Sequence, residues 1–169
     1  IALSLVGSEM CIRDSFKNDS FKKDLNLLDE LNHSNFFSII NDNELYIVSN
    51  GAGPVFVLRD NIFKRIDNSS LHKNQFGGAR FIHNNKIHIY GGYGFWSFKS
   101  FITFFDQNIN QWDLLYNESE YTPPGRWKPI YNLANERLYV LGGRSGPAGS
   151  VGQDVGFSDV FYFDFLSKE

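Results

Sequence analysis

The chain has 169 residues, 42% of them apolar, and a formal net charge of −3 from 16 basic and 19 acidic side chains. This composition supplies enough apolar side chains for a packed core and excludes a disordered protein. The acidic balance argues against a nucleic-acid partner, because such proteins need a concentrated basic surface. No apolar run approaches about 18 residues, so no membrane-spanning segment is predicted.

The first 15 residues, IALSLVGSEMCIRDS, differ in character from the rest of the chain. They resemble the translated sequencing-adapter peptide found at the ends of assembled environmental reads. A signal peptide is the alternative, but residues 1–6 are too short for its apolar region and no basic residue precedes them. We therefore predict that 1–15 is an artefactual or disordered head that packs on nothing. Excluding it removes Cys11, the single cysteine, and with it any thiol chemistry.

Residues 16–32 form a lead-in to the rest of the chain. Phe21, Leu25, Leu28 and Leu31 recur at spacings of three or four residues. This spacing predicts a short helix, and the alternative is an irregular connector.

Short apolar and aromatic runs separated by turn residues follow, and they predict an all-β chain. The predicted strands are 36–40, 45–49, 55–58 and 62–66, then 79–83, 87–91, 102–105 and 111–116, and finally 128–132, 138–142 and 160–163. The second strands of the three sets begin at residues 45, 87 and 138, which are 42 and 51 residues apart. Such spacing indicates structural repeats, here over 33–70, 71–120 and 121–169.

The repeats resemble the kelch family of β-propellers. That family has a glycine pair after the second strand, an Asp after the third, and a Trp about six residues later. The matching residues are Gly91, Gly92, Asp106 and Trp112 in the second repeat, and Gly142, Gly143 and Asp164 in the third. The resemblance implies a partial kelch-type propeller of about three four-stranded antiparallel blades, the third incomplete, and hence a fragment of a longer protein.

The first repeat departs from the family pattern, with Ser49 and Asn50 in place of the glycines and Phe63 in place of the Trp. Arg126 matches the basic residue often found before the first strand, where the second repeat has Gln75. The motif residues are expected to build the blades. In particular, we predict that Trp112 is buried between its own blade and the next, with its indole N–H bonded to a backbone acceptor.

Binding residues are expected in the loops, because loops carry sites on rigid scaffolds. The interval from the small-residue pair to the Asp varies most, spanning 50–60, 92–106 and 143–164 in the three repeats. Aromatic rings beside charged groups are common at binding surfaces, and the glycines of 142–156 are expected to make that loop mobile. The candidate ligand-binding residues are Tyr93, Phe95, Trp96, Lys99, Arg126, Arg144 and Asp154.

No catalytic motif, metal site or cofactor site is predicted. The closest candidates for metal ligands are His83 and His88. A two-residue turn at Asn84 and Asn85 would place both imidazoles on one face of a hairpin. A metal needs at least one more ligand, however, and the neighbouring Lys86 would repel a cation.

The absence of catalytic motifs favours a non-catalytic scaffold that binds a protein or peptide through its inter-strand loops. The alternative is a carbohydrate-active propeller, since kelch-like relatives include sialic-acid mutarotases. Arg126, Arg144 or Asp154 would then supply the polar groups for a glycan. A copper site like that of galactose oxidase is disfavoured. The resemblance would imply a Tyr that is cross-linked to a Cys, and the chain has no cysteine outside its head.

Overall fold

The computed structural model describes residues 35–68, 74–147 and 152–167. The predicted head and the lead-in with its short helix lie outside these residues. Every element of regular structure in the described ranges is a β-strand, which confirms the all-β prediction. Within the same ranges, no helix has the length and apolar character needed to cross a bilayer.

Three antiparallel sheets form the body of the molecule. The first contains β1 (Phe36–Asn41), β2 (Glu44–Ser49), β3 (Val55–Arg59) and β4 (Ile62–Arg65), in that order. The second contains β5 (Ala79–His83), β6 (Lys86–Tyr90), β9 (Ile102–Asp106) and β10 (Gln111–Leu115), in the order β10-β9-β6-β5. The third contains β11 (Ile130–Ala134), β12 (Arg137–Leu141) and β15 (Val160–Asp164), in that order.

Two further hairpins were not predicted, and both lie inside the loops between second and third strands. They are formed by β7 (Tyr93–Gly94) with β8 (Ser97–Phe98) and by β13 (Arg144–Ser145) with β14 (Val155–Gly156). All eleven predicted strands are present, with ends that differ by at most two residues.

Tight turns join the first and second strands of each sheet. The turn at Asn84 and Asn85 has φ values of 45° and 55°, and it pairs His83 with Lys86 as expected. Both central residues of a type I′ hairpin turn need positive φ, and Asn tolerates that conformation better than most residues do. Asp42 with Asn43 makes the same turn in the first sheet.

The sheets stack face to face, and the core lies between them. Val48 and Val57 of the first sheet are buried against Ile89 and Phe105 of the second. On the opposite face of the second sheet, a separate cluster joins Tyr90 and Ile102 to Leu138 and Val140 of the third sheet. The second sheet is therefore apolar on both faces, as a sheet between two others must be.

Trp112 is buried, with 5% of its surface exposed. Its Nε1 donates a hydrogen bond to the carbonyl oxygen of Gly53 at 2.8 Å, so the predicted backbone acceptor is present. The prediction was wrong about the neighbour, because Trp112 packs against the preceding sheet. It stands opposite Phe105 on the face of β10 and β9 that points toward the first sheet.

An ion pair links the start of the second strand to the end of the third strand in every sheet. Lys86 Nζ lies 2.9 Å from Asp106 Oδ2, and Arg137 Nε lies 2.8 Å from Asp164 Oδ2. In the first sheet the charges are reversed, with Arg59 Nε 2.7 Å from Glu44 Oε1. Arg59 therefore occupies the position in the first sheet that Asp106 occupies in the second. The interval of the first repeat, predicted to end at residue 60, ends one residue earlier.

The two aspartates also organise the turns that follow their strands. Asp106 Oδ1 accepts a hydrogen bond from the backbone N–H of Asn108, and Asp164 Oδ1 accepts one from Leu166, both at 2.9 Å. The hydrogen bonds to Lys86 and Arg137 and, after them, these backbone bonds lower the pKa of the two carboxyl groups. The aspartates therefore have a structural role in both repeats.

Candidate binding surface

The glycine pairs direct the chain from each second strand into a hairpin. Gly91 and Gly92 have φ values of 71° and 99°, and Gly142 and Gly143 have 58° and 91°. Glycine adopts such values without the steric cost that a Cβ brings. A Cβ on Gly92 would also lie 2.4 Å from the backbone carbonyl carbon of Gln75, so the neighbouring chain leaves no room for a side chain.

One segment, residues 125–128, joins the two hairpins. The backbone of Arg126 donates to the carbonyl of Lys99 at 3.0 Å and accepts from the N–H of Gly92 at 2.7 Å. The next residue, Trp127, exchanges two backbone hydrogen bonds with Arg144 at 2.8 and 2.9 Å. We call the surface formed by β7, β8, β13, β14 and residues 125–128 the hairpin surface.

Phe95 and Trp96 occupy the tip of the first hairpin. The two residues are 77% and 66% exposed, which is unusual for large aromatic residues. Both residues also have positive φ, 47° and 58°. Each bulky residue in this left-handed region costs about 1–2 kcal/mol, because its Cβ crowds the carbonyl oxygen. The tip therefore combines exposed aromatic rings with a strained backbone.

The residues beneath this tip are packed or paired. Tyr93 and Phe98 face each other across the hairpin, with ring centroids 4.9 Å apart. Lys99 Nζ donates to Ser97 Oγ at 2.6 Å. These two contacts support the hairpin and leave the rings of the tip as its main exposed feature.

The second hairpin carries an exposed ion pair. Arg144 Nε lies 2.8 Å from Asp154 Oδ2, and the side chain of Arg144 is 56% exposed. Two of the candidate ligand-binding residues are thus partners of each other, although Arg144 keeps a solvent-facing surface.

Arg126 lies inside the molecule, where it is fully buried. Its Nη1 and Nη2 donate to the two carboxylate oxygens of Asp159 at 2.8 and 3.0 Å, and Nη1 also donates to the carbonyl of Gly142 at 2.8 Å. The rings of Phe157 and Phe161 each lie 4.5 Å from the guanidinium carbon. These hydrogen bonds lower the pKa of Asp159. The geometry makes Arg126 a clamp between the start of the third sheet and its third strand.

Gln75 occupies the equivalent place in the second sheet and is also fully buried. Its Nε2 donates to the carbonyls of Ile89 and Phe101 at 3.1 and 3.2 Å, and its Oε1 accepts a hydrogen bond from Thr103. A neutral amide therefore makes the same type of bridge that Arg126 makes with a charge.

Trp127 belongs to the hairpin surface, although the sequence analysis did not identify it. Its indole lies against Gly77, where a Cβ would come within 2.1 Å of Nε1. Lys128 Nζ lies 4.4 Å from the centre of the same ring. The repeat spacing contained the signal, because Phe76, 51 residues earlier, bridges to Tyr93 as Trp127 bridges to Arg144.

The two histidines share a face of their hairpin, with ring centroids 5.8 Å apart. Glu136, from the turn between β11 and β12, places Oε2 2.7 Å from His83 Nε2. Burial lowers the pKa of His88 to about 4. Within the described ranges, no three His, Cys, Asp or Glu side chains are grouped so that they could hold a metal ion. His83 and Glu136 link the second and third sheets.

No family model matches the chain, and no curated protein is significantly similar to it. Function is therefore inferred from the geometry of the chain itself.

Proposed function

We propose that the chain is a kelch-type propeller fragment of three blades, the third incomplete, and that it binds a protein or peptide through the hairpin surface. The repeat geometry supports the propeller. The backbone pairing of Phe76 with Tyr93 recurs between Trp127 and Arg144. Gln75 and Arg126 also occupy equivalent positions, and the side chain of each donates hydrogen bonds to backbone carbonyls of its own sheet or the glycine after it.

The outer face of the third sheet also supports the propeller. Ile130, Leu141 and Val160 are 72%, 37% and 63% exposed. They correspond in position to Ala79, Tyr90 and Ile102 of the second sheet, which are buried against the third. In this proposal, a further blade covers the outer face in the same way.

The observation that carries the binding function is the pair of exposed aromatic residues in a strained turn. Asn-Gly would form the same two-residue turn without strain, yet the chain has Phe95 and Trp96 there. Strained backbone is commonly found at functional sites. Large rigid aromatic side chains also supply much of the binding energy at protein interfaces.

The sugar alternative has less support from the candidate polar residues. Arg126 is fully buried in its contacts with Asp159, and Arg144 is paired with Asp154. A glycan would have to compete with these ion pairs. A peptide needs only the exposed rings and the solvent-facing part of Arg144.

The test is a selection of displayed random peptides on the full chain, followed by calorimetry with the selected peptides. The double variant Phe95→Asn/Trp96→Gly keeps a two-residue turn and removes both rings. We expect it to weaken peptide binding at least tenfold while raising the free energy of unfolding by about 2 kcal/mol, the lower end of the strain of two residues.

Ile109→Ala is the matched control, because Ile109 is 54% exposed but lies in the turn at the opposite end of the second sheet. It should leave binding unchanged. If the selected peptides bind the double variant as well as they bind the unmodified chain, the hairpin surface is not the site. If N-acetylneuraminic acid binds in their place and depends on the same rings, the sugar alternative replaces the proposal.

A further inference from the structure

Arg80 differs from the other arginines that the structure describes, because it has no acidic partner. The guanidinium groups of the other five lie 2.7–2.9 Å from carboxylate oxygens, and these residues are Arg59, Arg65, Arg126, Arg137 and Arg144. No ion pair or hydrogen bond joins the Arg80 side chain to any described residue, although Arg80 is half-buried. Its charge is therefore held partly out of water without a counter-charge.

An aromatic ring lies against the Arg80 guanidinium. The guanidinium carbon is 4.5 Å from the centre of the Phe37 ring on the first sheet. The ring attracts the cation, but it offers no oxygen acceptors to the five N–H groups of the guanidinium. Burial lowers the pKa of Arg80, whereas hydrogen bonds to carboxylates raise the pKa of Arg59 and Arg137. The surroundings of Arg80 thus lack the group that stabilises the other two charges.

Arg80 lies on β5, an edge strand of the second sheet. On the other side of β6, Gly91 N–H donates to the carbonyl of Phe101. Because the bonded positions alternate along antiparallel strands, the next residue toward the turn, Tyr90, bonds to β5, where its partner is Ala79. The backbone N–H of Arg80 consequently points to the open edge of the sheet.

The edge strands of the three sheets lie side by side, with β5 in contact with Phe37 of β1 and with β11. Tyr131 of β11 is 37% exposed and lies near enough to Arg80 to act on its charge. We call the surface formed by Phe37, Arg80 and Tyr131 the Arg80 site. In the proposed propeller these strands line the central axis, so a further blade leaves this edge unpaired.

The charges at this edge select the kind of ligand. A guanidinium binds a planar carboxylate through two parallel N–H···O bonds. The sequences of β1, β5 and β11 contain no acidic residue, no lysine and no arginine besides Arg80. A single positive charge balances a carboxylate, whereas a phosphate dianion would need a second cation.

We propose that the Arg80 site binds a carboxylate group, which accepts two hydrogen bonds from the Arg80 guanidinium while the Phe37 ring supports that guanidinium. The backbone N–H of Arg80 and the hydroxyl of Tyr131 are further donors at the same edge. The carboxylate belongs to a small organic acid or to an acidic side chain of a peptide. The Arg80 site shares no residue with the hairpin surface and does not depend on its function.

The probes are sodium acetate and the peptide acetyl-Gly-Glu-Gly-amide, each titrated into the isotope-labelled full chain and followed by NMR. We expect a carboxylate probe to shift the side-chain Nε–H and the backbone N–H of Arg80 saturably. The amide of Phe81, which bonds to β6, should change little. The neutral counterparts, acetamide and acetyl-Gly-Gln-Gly-amide, should bind at least tenfold more weakly. Tighter binding of the peptide identifies an acidic side chain as the source, and tighter binding of acetate identifies a small acid.

Arg80→Met and Arg59→Met form a matched pair of variants. Arg80→Met keeps a linear apolar side chain against Phe37 and removes the hydrogen-bond donors, so we expect at least tenfold weaker binding. Arg59→Met makes the same change of net charge on β3, away from the Arg80 site, and should alter binding less than twofold. Arg80→Lys keeps the charge without the two parallel donors and should weaken binding at least fivefold.

The comparison of acid and amide probes requires no change in the chain, so it decides the proposal even if Arg80→Met lowers stability. Absence of saturable shifts at Arg80, or equal binding of the acid and amide probes, overturns the proposal. Tighter binding of inorganic phosphate than of either carboxylate also overturns it. Sodium chloride that reproduces the shifts at the same concentration does so as well, because the site would then not select carboxylates.

Discussion

Arg126→Met tests whether the buried guanidinium is a structural clamp. Methionine can fill much of the space between Phe157 and Phe161, so the main loss is polar. The variant removes both hydrogen bonds to Asp159 and the bond to the carbonyl of Gly142.

The expected cost follows from these contacts. Removing one partner of a buried ion pair typically costs about 3–5 kcal/mol. The side chain of Asp159 is 42% exposed, so water can hydrate it once Arg126 is gone. We therefore expect the free energy of unfolding to fall by about 3 kcal/mol, at the lower end of that range.

Urea unfolding followed by circular dichroism measures this loss. The control is Arg144→Met, which removes an exposed ion pair from the second hairpin and should cost less than about 1 kcal/mol. In the double variant Arg126→Met/Asp159→Asn, the total loss should be smaller than the sum of the single losses by about 1 kcal/mol or more. If Arg126→Met costs no more than the control, the clamp explanation is refuted.

Two further predictions concern the cores between the sheets. Burial lowers the pKa of His88 from 6.5 to about 4, so the unfolded chain binds the proton more readily than the folded protein. The free energy of unfolding should therefore be highest above pH 6.5 and fall by about 3 kcal/mol as the pH drops toward 4. His88→Phe should flatten this decline in urea titrations between pH 6.5 and 4.5, and an unchanged slope would refute the assignment of the decline to His88. Trp112→Ala should lower the free energy of unfolding by about 3–5 kcal/mol, whereas a loss below 1 kcal/mol in the same assay would contradict its role between the first two sheets.

Local patterns made the strands and most turns predictable. Asn84 and Asn85 form a turn because their side chains tolerate positive φ, and this preference is visible in the sequence. Phe95 and Trp96 adopt the same conformation against their own preference, so nothing local indicated a hairpin there. The residues on either side hold that turn, because Tyr93 pairs with Phe98 across the hairpin and with Phe76 of the neighbouring segment.

Long-range contacts explain most of the remaining differences. The repeat spacing identified Arg126 and Gln75 as equivalent, but it did not indicate that the Arg126 side chain points inward to Asp159. Glu136 is 53 residues from His83 in the sequence, and only the stacking of the second and third sheets brings them together. Such partners depend on how the sheets face each other, which no single strand encodes.

The reversed ion pair of the first sheet affects which strands can replace one another. Repeats of similar shape are prone to exchange equivalent strands during folding. If β6 took the place of β2, Lys86 would face Arg59, and if β2 took the place of β6, Glu44 would face Asp106. Both exchanges bring like charges together, which opposes the mistake. In the second and third sheets the basic residue is on the second strand and the acidic residue on the third, so an exchange between these two sheets would not bring like charges together. Among the three sheets, only the strands of the first are distinguished from the others by this ion pair.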